Sequence, residues 1–121
     1  MESDTIDFKR FEVLSFDCYG TLIDWEKGIV RALSPWLLKH GIQLETHTLL
    51  ELYGRFERSA ENQIPFINYR SVLHQVMRAF SEEFDIELDD GDVDILRRSL
   101  RIWPVFPDTI KALQRLRSLY E

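Results

Sequence analysis

An aspartate stands at the end of a short apolar run near the start of the chain, just before a glycine turn. Residues 11–16 (FEVLSF) have the length and apolar content of a buried β-strand, and Asp17 follows directly. Because ligands bind beyond the carboxyl ends of strands in open parallel sheets, Asp17 is suitably placed to be a nucleophile. Gly20 permits a tight turn with N–H groups facing an anion, and Thr21 can hydrogen-bond the carboxylate. The alternative is that Asp17 merely caps a turn.

The composition indicates a folded domain, or part of a larger one. The chain has 121 residues, of which 45% are hydrophobic and 12% aromatic, which is ample for a core. A net charge of −6 argues against a nucleic-acid or anionic-membrane partner. The sequence has neither a run of apolar residues long enough to span a membrane nor a secretory signal. Cys18 is the only cysteine, which suits a reducing cytoplasm.

Helical periodicity fills the chain after Asp24. Five helices are predicted. The first runs from Trp25 to a stop at His40 and Gly41, and the second from a cap at Thr46 or Thr48 to about Ala60. The third begins at Pro65, has Phe66 in its apolar stripe and ends near Phe84, the fourth runs from Gly91 to Arg101, and the fifth from Ile110 to Leu119. A lone strand cannot satisfy its own N–H and C=O groups, and no second strand is apparent before Glu121. The sequence is therefore expected to stop early, as an N-terminal fragment.

The run FDCYGTLID, residues 16–24, resembles the first motif of the haloacid dehalogenase (HAD) superfamily, and specifically its two-haloacid dehalogenase branch. The resemblance implies an α/β fold with a HAD-like, Rossmann-like core, of which only the first strand and the return helix are present, and an inserted helical-bundle cap. Residues 1–24 would begin the core, residues 25–102 would form the cap, and residues 103–121 would be the truncated return to the core.

Tyr19 favours the dehalogenase branch over the phosphatase branch. Phosphatases of this superfamily carry an aspartate two positions after the nucleophile, which protonates a departing alkoxide. A halide leaves without a proton, so a weakly acidic phenol suffices at that position. The absence of the second aspartate also weakens the case for Mg²⁺, and we predict no metal or other cofactor. The alternative is a packing tyrosine in a phosphatase-like site.

The resemblance implies a two-step hydrolysis of short two-haloalkanoic acids. Asp17 would displace the halide to form an ester, and water would cleave that ester to release a two-hydroxy acid. The substrate-binding residues that the resemblance implies are Cys18, Tyr19, Thr21 and Arg55. Arg55 would receive the halide, with Arg58 as its rival, and the alternative for both arginines is a solvated surface role.

Members of the superfamily carry three further motifs after the cap, and none of them is found in this sequence. Residues 1–121 are therefore expected to be inactive or nearly so, which chloride release from L-2-chloropropionate would test. Two other functions stay open: a Mg²⁺-dependent phosphatase of the same superfamily acting on a small metabolite, and a non-catalytic helical module for binding or dimerisation. An open strand edge also predicts self-association, so a homodimer is one expectation.

Other clusters of polar residues are assigned structural roles. Acidic residues crowd positions 82–94, but their spacing fails the EF-hand pattern, so we expect a solvated linker with charge at a helix N-terminus. His40, His47 and His74 show neither metal spacing nor an obvious base partner. Cys18 lacks a nearby histidine to activate it and is expected to be a small buried hydrophobe.

Overall fold

The computed structural model describes residues 5–121, which divide into two compact units. One unit comprises Met1–Asp24, described from residue 5 onward, together with Val105–Glu121. The other unit is the continuous segment Trp25–Pro104. The assignment of residues 1–24 and 103–121 to a catalytic core, and of residues 25–102 to a cap, stays a prediction.

Helices dominate the described residues. The α-helices are α1 (Trp25–Lys39), α2 (Thr46–Glu61), α3 (Tyr69–Phe84), α4 (Asp90–Val93), α5 (Ile95–Ser99) and α6 (Thr109–Arg117), with 3-10 turns at Phe8–Arg10 and Leu100–Ile102. None of these helices, within residues 5–121, is long and apolar enough to cross a membrane.

The predicted apolar stripes form the core of the Trp25–Pro104 unit. Helix α2 packs along α3, α1 packs on α2 and α5, and α3 packs on α5. The largest fully buried side chains are Ile29, Leu33, Leu37, Leu49, Tyr53, Leu73, Val76, Met77, Phe80 and Leu96. Gly41, at φ 73°, ends α1, and the N–H of Ile42 donates to the carbonyl of Leu37 at 2.9 Å. The predicted stop after His40 is confirmed.

Helices α2 and α3 begin at other residues than predicted. Glu45 is the N-terminal cap of α2, without a side-chain bond, so neither Thr46 nor Thr48 caps it. Helix α3 begins at Tyr69 rather than Pro65, because the Asn68 side chain accepts a hydrogen bond from the N–H of Ser71 at 2.9 Å. Phe66 therefore lies before the helix, is 87% exposed and does not join the core.

The predicted helix from Gly91 to Arg101 is divided into α4, α5 and a 3-10 turn. Asp89 and Asp92 form a reciprocal capping box at the start of α4. Asp94, between α4 and α5, binds the side chains of Arg97 and His74. The acidic residues thus cap and join short helices, and the predicted continuous helix is wrong.

The unit that carries Asp17 contains no assigned β-strand, and the same holds for all of residues 5–121. Residues 11–16 were predicted to be a strand, and this prediction is wrong. Phe11 bonds back to the preceding 3-10 turn, its N–H donating to the carbonyl of Phe8 at 3.3 Å. The partner of residues 11–16 outside that turn is Glu121, whose N–H donates to the carbonyl of Glu12 at 2.9 Å and whose carbonyl accepts from the N–H of Leu14 at 3.4 Å. This is the bonding pattern of a parallel pair, but one residue of pairing does not make a strand. The described fold is helical, and the predicted α/β layer is not formed.

A half-buried carboxylate and two tyrosines connect α2 to α3. The hydroxyls of Tyr53 and Tyr69 donate to Oε2 of Glu57 at 2.7 and 2.8 Å. Tyr53 is 1% exposed, and burial together with the neighbouring Tyr69 raises the pKa of its phenol. Glu57 was not predicted from the sequence, because its partner Tyr69 lies on another helix.

Glu57→Ala is expected to lower the free energy of unfolding by about 1–3 kcal/mol, since the buried Tyr53 hydroxyl loses its charged acceptor. Urea denaturation followed by helical circular dichroism measures this change. Glu51→Ala is the matched control, because Glu51 lies on the same helix with a side chain that is 68% exposed. That control should change the free energy by less than about 0.5 kcal/mol. Equal effects from both substitutions would contradict the assignment.

Ionisation of Asp94 is expected to make part of the folding stability depend on pH in the acidic range. Hydrogen bonds from Arg97 and His74 hold the pKa of the Asp94 carboxyl below its usual value of 3.8. A carboxyl with a lowered folded-state pKa stabilises the fold above its unfolded pKa, and this stabilisation is lost as the pH falls through the folded value. Asp94→Asn should therefore lower the unfolding temperature at neutral pH, and its difference from the native chain should shrink below about pH 4.

Thermal unfolding between neutral and strongly acidic pH measures this difference. Asp90→Asn, an exposed carboxylate in the same acidic segment, is the control and should leave the pH profile almost unchanged. A difference between Asp94→Asn and the native chain that persists unchanged at acidic pH would refute the role of the ionised carboxylate.

Candidate functional site

The loop after Asp17 winds around a single backbone carbonyl. The carbonyl of Cys18 accepts the N–H groups of Thr21, Leu22 and Ile23 at 3.2, 2.8 and 3.0 Å. Gly20 has φ 87°, in the left-handed region that favours glycine, and its N–H donates to the carbonyl of Ile23 at 2.9 Å. The tight turn at Gly20 is confirmed. The expectation that these N–H groups face a bound anion is wrong for Gly20 and Thr21, because both donate within the loop.

The Asp17 carboxylate is held by Thr21. Oγ1 of Thr21 donates to Oδ2 of Asp17 at 3.0 Å, which is the hydrogen bond that the sequence predicts. Both residues are exposed, and Oδ1 of Asp17 makes no hydrogen bond to any residue that the structure describes. One carboxylate oxygen is therefore held by the loop, and the other makes no such bond.

Cys18 and Tyr19 lie on the surface of the same loop. Cys18 is exposed, so the expectation that it is buried is wrong. The physical reason is that the loop lies over no apolar core, since residues 5–24 include none that is buried. Tyr19 is 49% exposed, and its backbone forms a bridge with that of Ile23.

The segment that follows Pro104 is bonded to the backbone of this loop. Ile23 pairs with Val105 in an antiparallel bridge, and Oγ1 of Thr109 donates to the carbonyl of Leu22 at 2.8 Å. Thr109 is 5% exposed. This role of Thr109 was not predicted from the sequence, where its position at the start of a helix after Pro107 is the one local signal. Its role depends on Leu22, which is far away in the sequence.

The two candidate arginines lie on α2, in the unit Trp25–Pro104. Arg55 and Arg58 line a common hollow of about 420 Å³, together with Glu51. Nη2 of Arg55 lies 3.9 Å from Oε1 of Glu83, and the Arg55 side chain is 61% exposed. The structure thus brings Asp17, Cys18, Tyr19 and Thr21 together in one loop and places Arg55 in the other unit. A substrate-binding role for Arg55 or Arg58 stays a prediction.

Acidic and histidine side chains in residues 5–121 form no group of three or more that could hold a metal ion. Two of the three histidines pair with acids: Nε2 of His74 lies 2.9 Å from Oδ1 of Asp94, and Nε2 of His47 lies 3.2 Å from Oε1 of Glu51. The expectation that these two histidines lack a base partner is wrong. Glu51 lies one turn after His47 on α2, whereas Asp94, between α4 and α5, reaches His74 because those helices pack on α3.

Comparison with solved structures identifies the fold. The chain is similar to the defluorinating L-2-haloacid dehalogenase Rha0230, with a TM-score of 0.75 and 20% sequence identity. The described helices therefore follow the fold of a haloacid dehalogenase, while the α/β layer of that fold is not shown in residues 5–121. The similarity covers 90% of this chain, which spans about half, 48%, of that protein's structure.

Sequence comparison alone gives no such match. No protein-family model matches the chain, and no curated protein matches it by sequence. At 20% identity the structural similarity establishes the haloacid dehalogenase-type fold and nothing about the reaction.

Proposed function

We propose that this chain carries the nucleophile of a hydrolytic dehalogenase that acts on short two-haloalkanoic acids. The observation that supports the proposal best is the Asp17–Thr21 hydrogen bond of 3.0 Å, in an exposed loop of a haloacid dehalogenase-type fold. Thr21 orients one carboxylate oxygen, and the other is open to attack carbon. The cytoplasm, which the single cysteine favours, is the proposed location.

The proposed first step is a displacement at carbon. Oδ1 of Asp17 donates an electron pair to the carbon that bears the halogen, the C–halogen bond breaks, and the halide departs with its electron pair. The product is an ester between the Asp17 carboxylate and carbon 2 of the acid. No proton is needed for this step, which agrees with a tyrosine rather than an acid at position 19.

The proposed second step is hydrolysis of that ester. Water attacks the carboxyl carbon of Asp17, and the bond between that carbon and the ester oxygen breaks. One proton of the water passes to the departing oxygen to give the two-hydroxy acid, the other is released to solvent, and the Asp17 carboxylate is regenerated. Since no residue of this chain is assigned to activate the water, we expect the ester to accumulate in residues 1–121. The expected halide release is about one equivalent per chain.

Arg55 is the proposed cation for the departing halide, with Arg58 as the alternative, because each brings a positive charge to the same hollow on α2. Cys18 and Tyr19 are proposed to contact the substrate, since both side chains are exposed next to Asp17. Arg55→Ala should slow halide release more than Arg58→Ala if Arg55 has this role.

Two parallel assays test the proposal. The purified chain is incubated with L-2-chloropropionate, with chloride measured, and separately with a chromogenic phosphate ester and Mg²⁺. Chloride release up to about one equivalent, with no phosphate hydrolysis, is the expected result. Mg²⁺-dependent phosphate release without any reaction of the haloacid would replace the proposal with a phosphatase. Reaction of neither substrate would leave a non-catalytic helical module.

A further inference from the structure

Thr109 carries a buried hydroxyl in the unit that contains Asp17. Among residues 5–24 and 105–121 it is the one buried residue, at 5% exposure. A threonine hydroxyl has one proton to donate, and that of Thr109 goes to the carbonyl of Leu22 at 2.8 Å. Thr109 is the first residue of α6, whose N-terminal cap is Asp108. Its hydroxyl proton is therefore donated to the Asp17 loop and not within its own helix.

Leu22 is held on both sides of its backbone. Its N–H donates to the carbonyl of Cys18 at 2.8 Å, inside the loop, and its own carbonyl accepts the hydroxyl of Thr109 at 2.8 Å. That carbonyl also accepts the N–H of Phe106, but at 3.4 Å, which is long for a hydrogen bond between an amide and a carbonyl. The Thr109 hydroxyl is the closer of these two donors, so its loss would leave Leu22 with a weak bond to the segment after Pro104.

Leu22 directly follows the residue that holds the Asp17 carboxylate. This residue is Thr21, whose N–H donates to the same carbonyl of Cys18 at 3.2 Å. Oγ1 of Thr21 in turn donates to Oδ2 of Asp17 at 3.0 Å. A shift of the Leu22 peptide therefore shifts Thr21 and turns the carboxylate. Because displacement at carbon requires the attacking oxygen to be aligned with the bond that breaks, a small turn of this kind slows the reaction.

We propose that Thr109 is a positioning residue for the nucleophile Asp17. Its hydroxyl fixes the Leu22 carbonyl, and this constraint reaches the Asp17 carboxylate through Thr21, so Thr109 acts without contacting the substrate. The orientation is set by the fold before substrate binds, which avoids the cost of ordering the loop during the reaction. The effect of Thr109 on the reaction rate rests on the proposed function, whereas its anchoring of the loop can be measured without any substrate.

Thr109→Val tests the proposal, because valine keeps the shape of threonine and removes the hydroxyl. The rate constant for forming the hydroxylamine-labile adduct at saturating L-2-chloropropionate should fall about tenfold. The haloacid concentration that gives half of this rate should change by less than about twofold, since Thr109 does not bind the substrate. A residue that only stabilised the fold would change the fraction of chain that reacts and not this rate constant.

Two further variants serve as controls. Thr109→Ser keeps the hydroxyl and should react within about threefold of the native rate. Thr46→Val makes the same substitution at the first residue of another helix, α2, where the side chain is exposed in the other unit. Its rate constant should equal that of the native chain.

Amide hydrogen exchange, measured by nuclear magnetic resonance without substrate, reports on the loop itself. The N–H groups of Thr21, Leu22 and Ile23 donate to the carbonyl of Cys18. They should exchange about fivefold or more faster in Thr109→Val, and at the native rate in Thr109→Ser and Thr46→Val.

The proposal is overturned if exchange in Thr109→Val stays native, or if that variant reacts with the native rate constant. It is equally overturned if Thr109→Ser or Thr46→Val is as slow as Thr109→Val. A native chain that does not react with the haloacid overturns the proposed function, and with it the effect on rate. Faster exchange in Thr109→Val would in that case still establish the anchoring of the loop.

Discussion

Asp17→Asn is expected to abolish covalent labelling of the chain by two-haloacids, with a loss of about three orders of magnitude or more in the labelling rate. An amide oxygen is a far poorer nucleophile than a carboxylate, and the substitution otherwise preserves the shape of the side chain. The amide oxygen can still accept the hydrogen bond from Oγ1 of Thr21 that the carboxylate accepts at 3.0 Å. The loop should therefore stay folded while the chemistry is lost.

The measurement is mass spectrometry of the intact chain and of its proteolytic peptides after incubation with L-2-chloropropionate. Because Cys18 is an exposed thiol beside Asp17, alkylation of sulfur must be distinguished from the proposed ester. Hydroxylamine cleaves an ester and leaves a thioether intact. The adduct on the native chain should be released by hydroxylamine and should map to Asp17.

Asp24→Asn is the matched control, since it removes one carboxylate from the same segment, and it should leave labelling within about twofold of the native rate. Labelling that survives Asp17→Asn, or an adduct that hydroxylamine fails to release, would contradict Asp17 as the nucleophile. An equal loss of labelling rate in Asp17→Asn and Asp24→Asn would show that labelling depends on the negative charge of the segment and not on the Asp17 carboxylate as nucleophile.

Gly28→Ala is expected to have the largest effect on stability, a decrease of about 1–3 kcal/mol in the free energy of unfolding. A Cβ atom at Gly28 would lie 2.5 Å from Cγ and 2.6 Å from Cδ1 of Trp103, closer than real Cβ atoms approach. Trp103 is 7% exposed, and its Nε1 donates to Oγ of Ser99 at 2.9 Å. The indole ring cannot move away without losing this bond or opening the packing of α1 on α5.

Gly54→Ala is the matched control for this prediction. Gly54 also lies inside a helix, α2, and the one atom that a Cβ there would approach is Nη1 of Arg58, at 3.3 Å, the end of a flexible side chain. Alanine is favoured over glycine inside a helix, so Gly54→Ala should raise the free energy of unfolding by about 0.5–1 kcal/mol. Chemical denaturation of both variants gives the two changes. A decrease of similar size in both variants would contradict the role of Trp103.

Patterns of neighbouring residues made part of this molecule predictable. Helix α1 and its end at Gly41 follow from apolar spacing and a glycine stop, and the bond between Thr21 and Asp17 joins residues four apart. The short run around Asp17 also indicated the haloacid dehalogenase-type fold that the structural comparison shows. Each of these features depends on a few residues close together in the chain, which is why the sequence reveals them.

Other features were decided by the tertiary structure. Residues 11–16 have the composition of a strand, yet strands form only by pairing, and Glu121 alone pairs with them. Gly28 and Gly54 look alike in the sequence, and only the contact with Trp103 separates them. By itself the sequence determined helix α1 with its end at Gly41 and the bond between Thr21 and Asp17, because both depend on short-range spacing. The pairing of strands, the packing of Trp103 and the exposure of Cys18 depend on distant parts of the chain, and only the folded structure decided them.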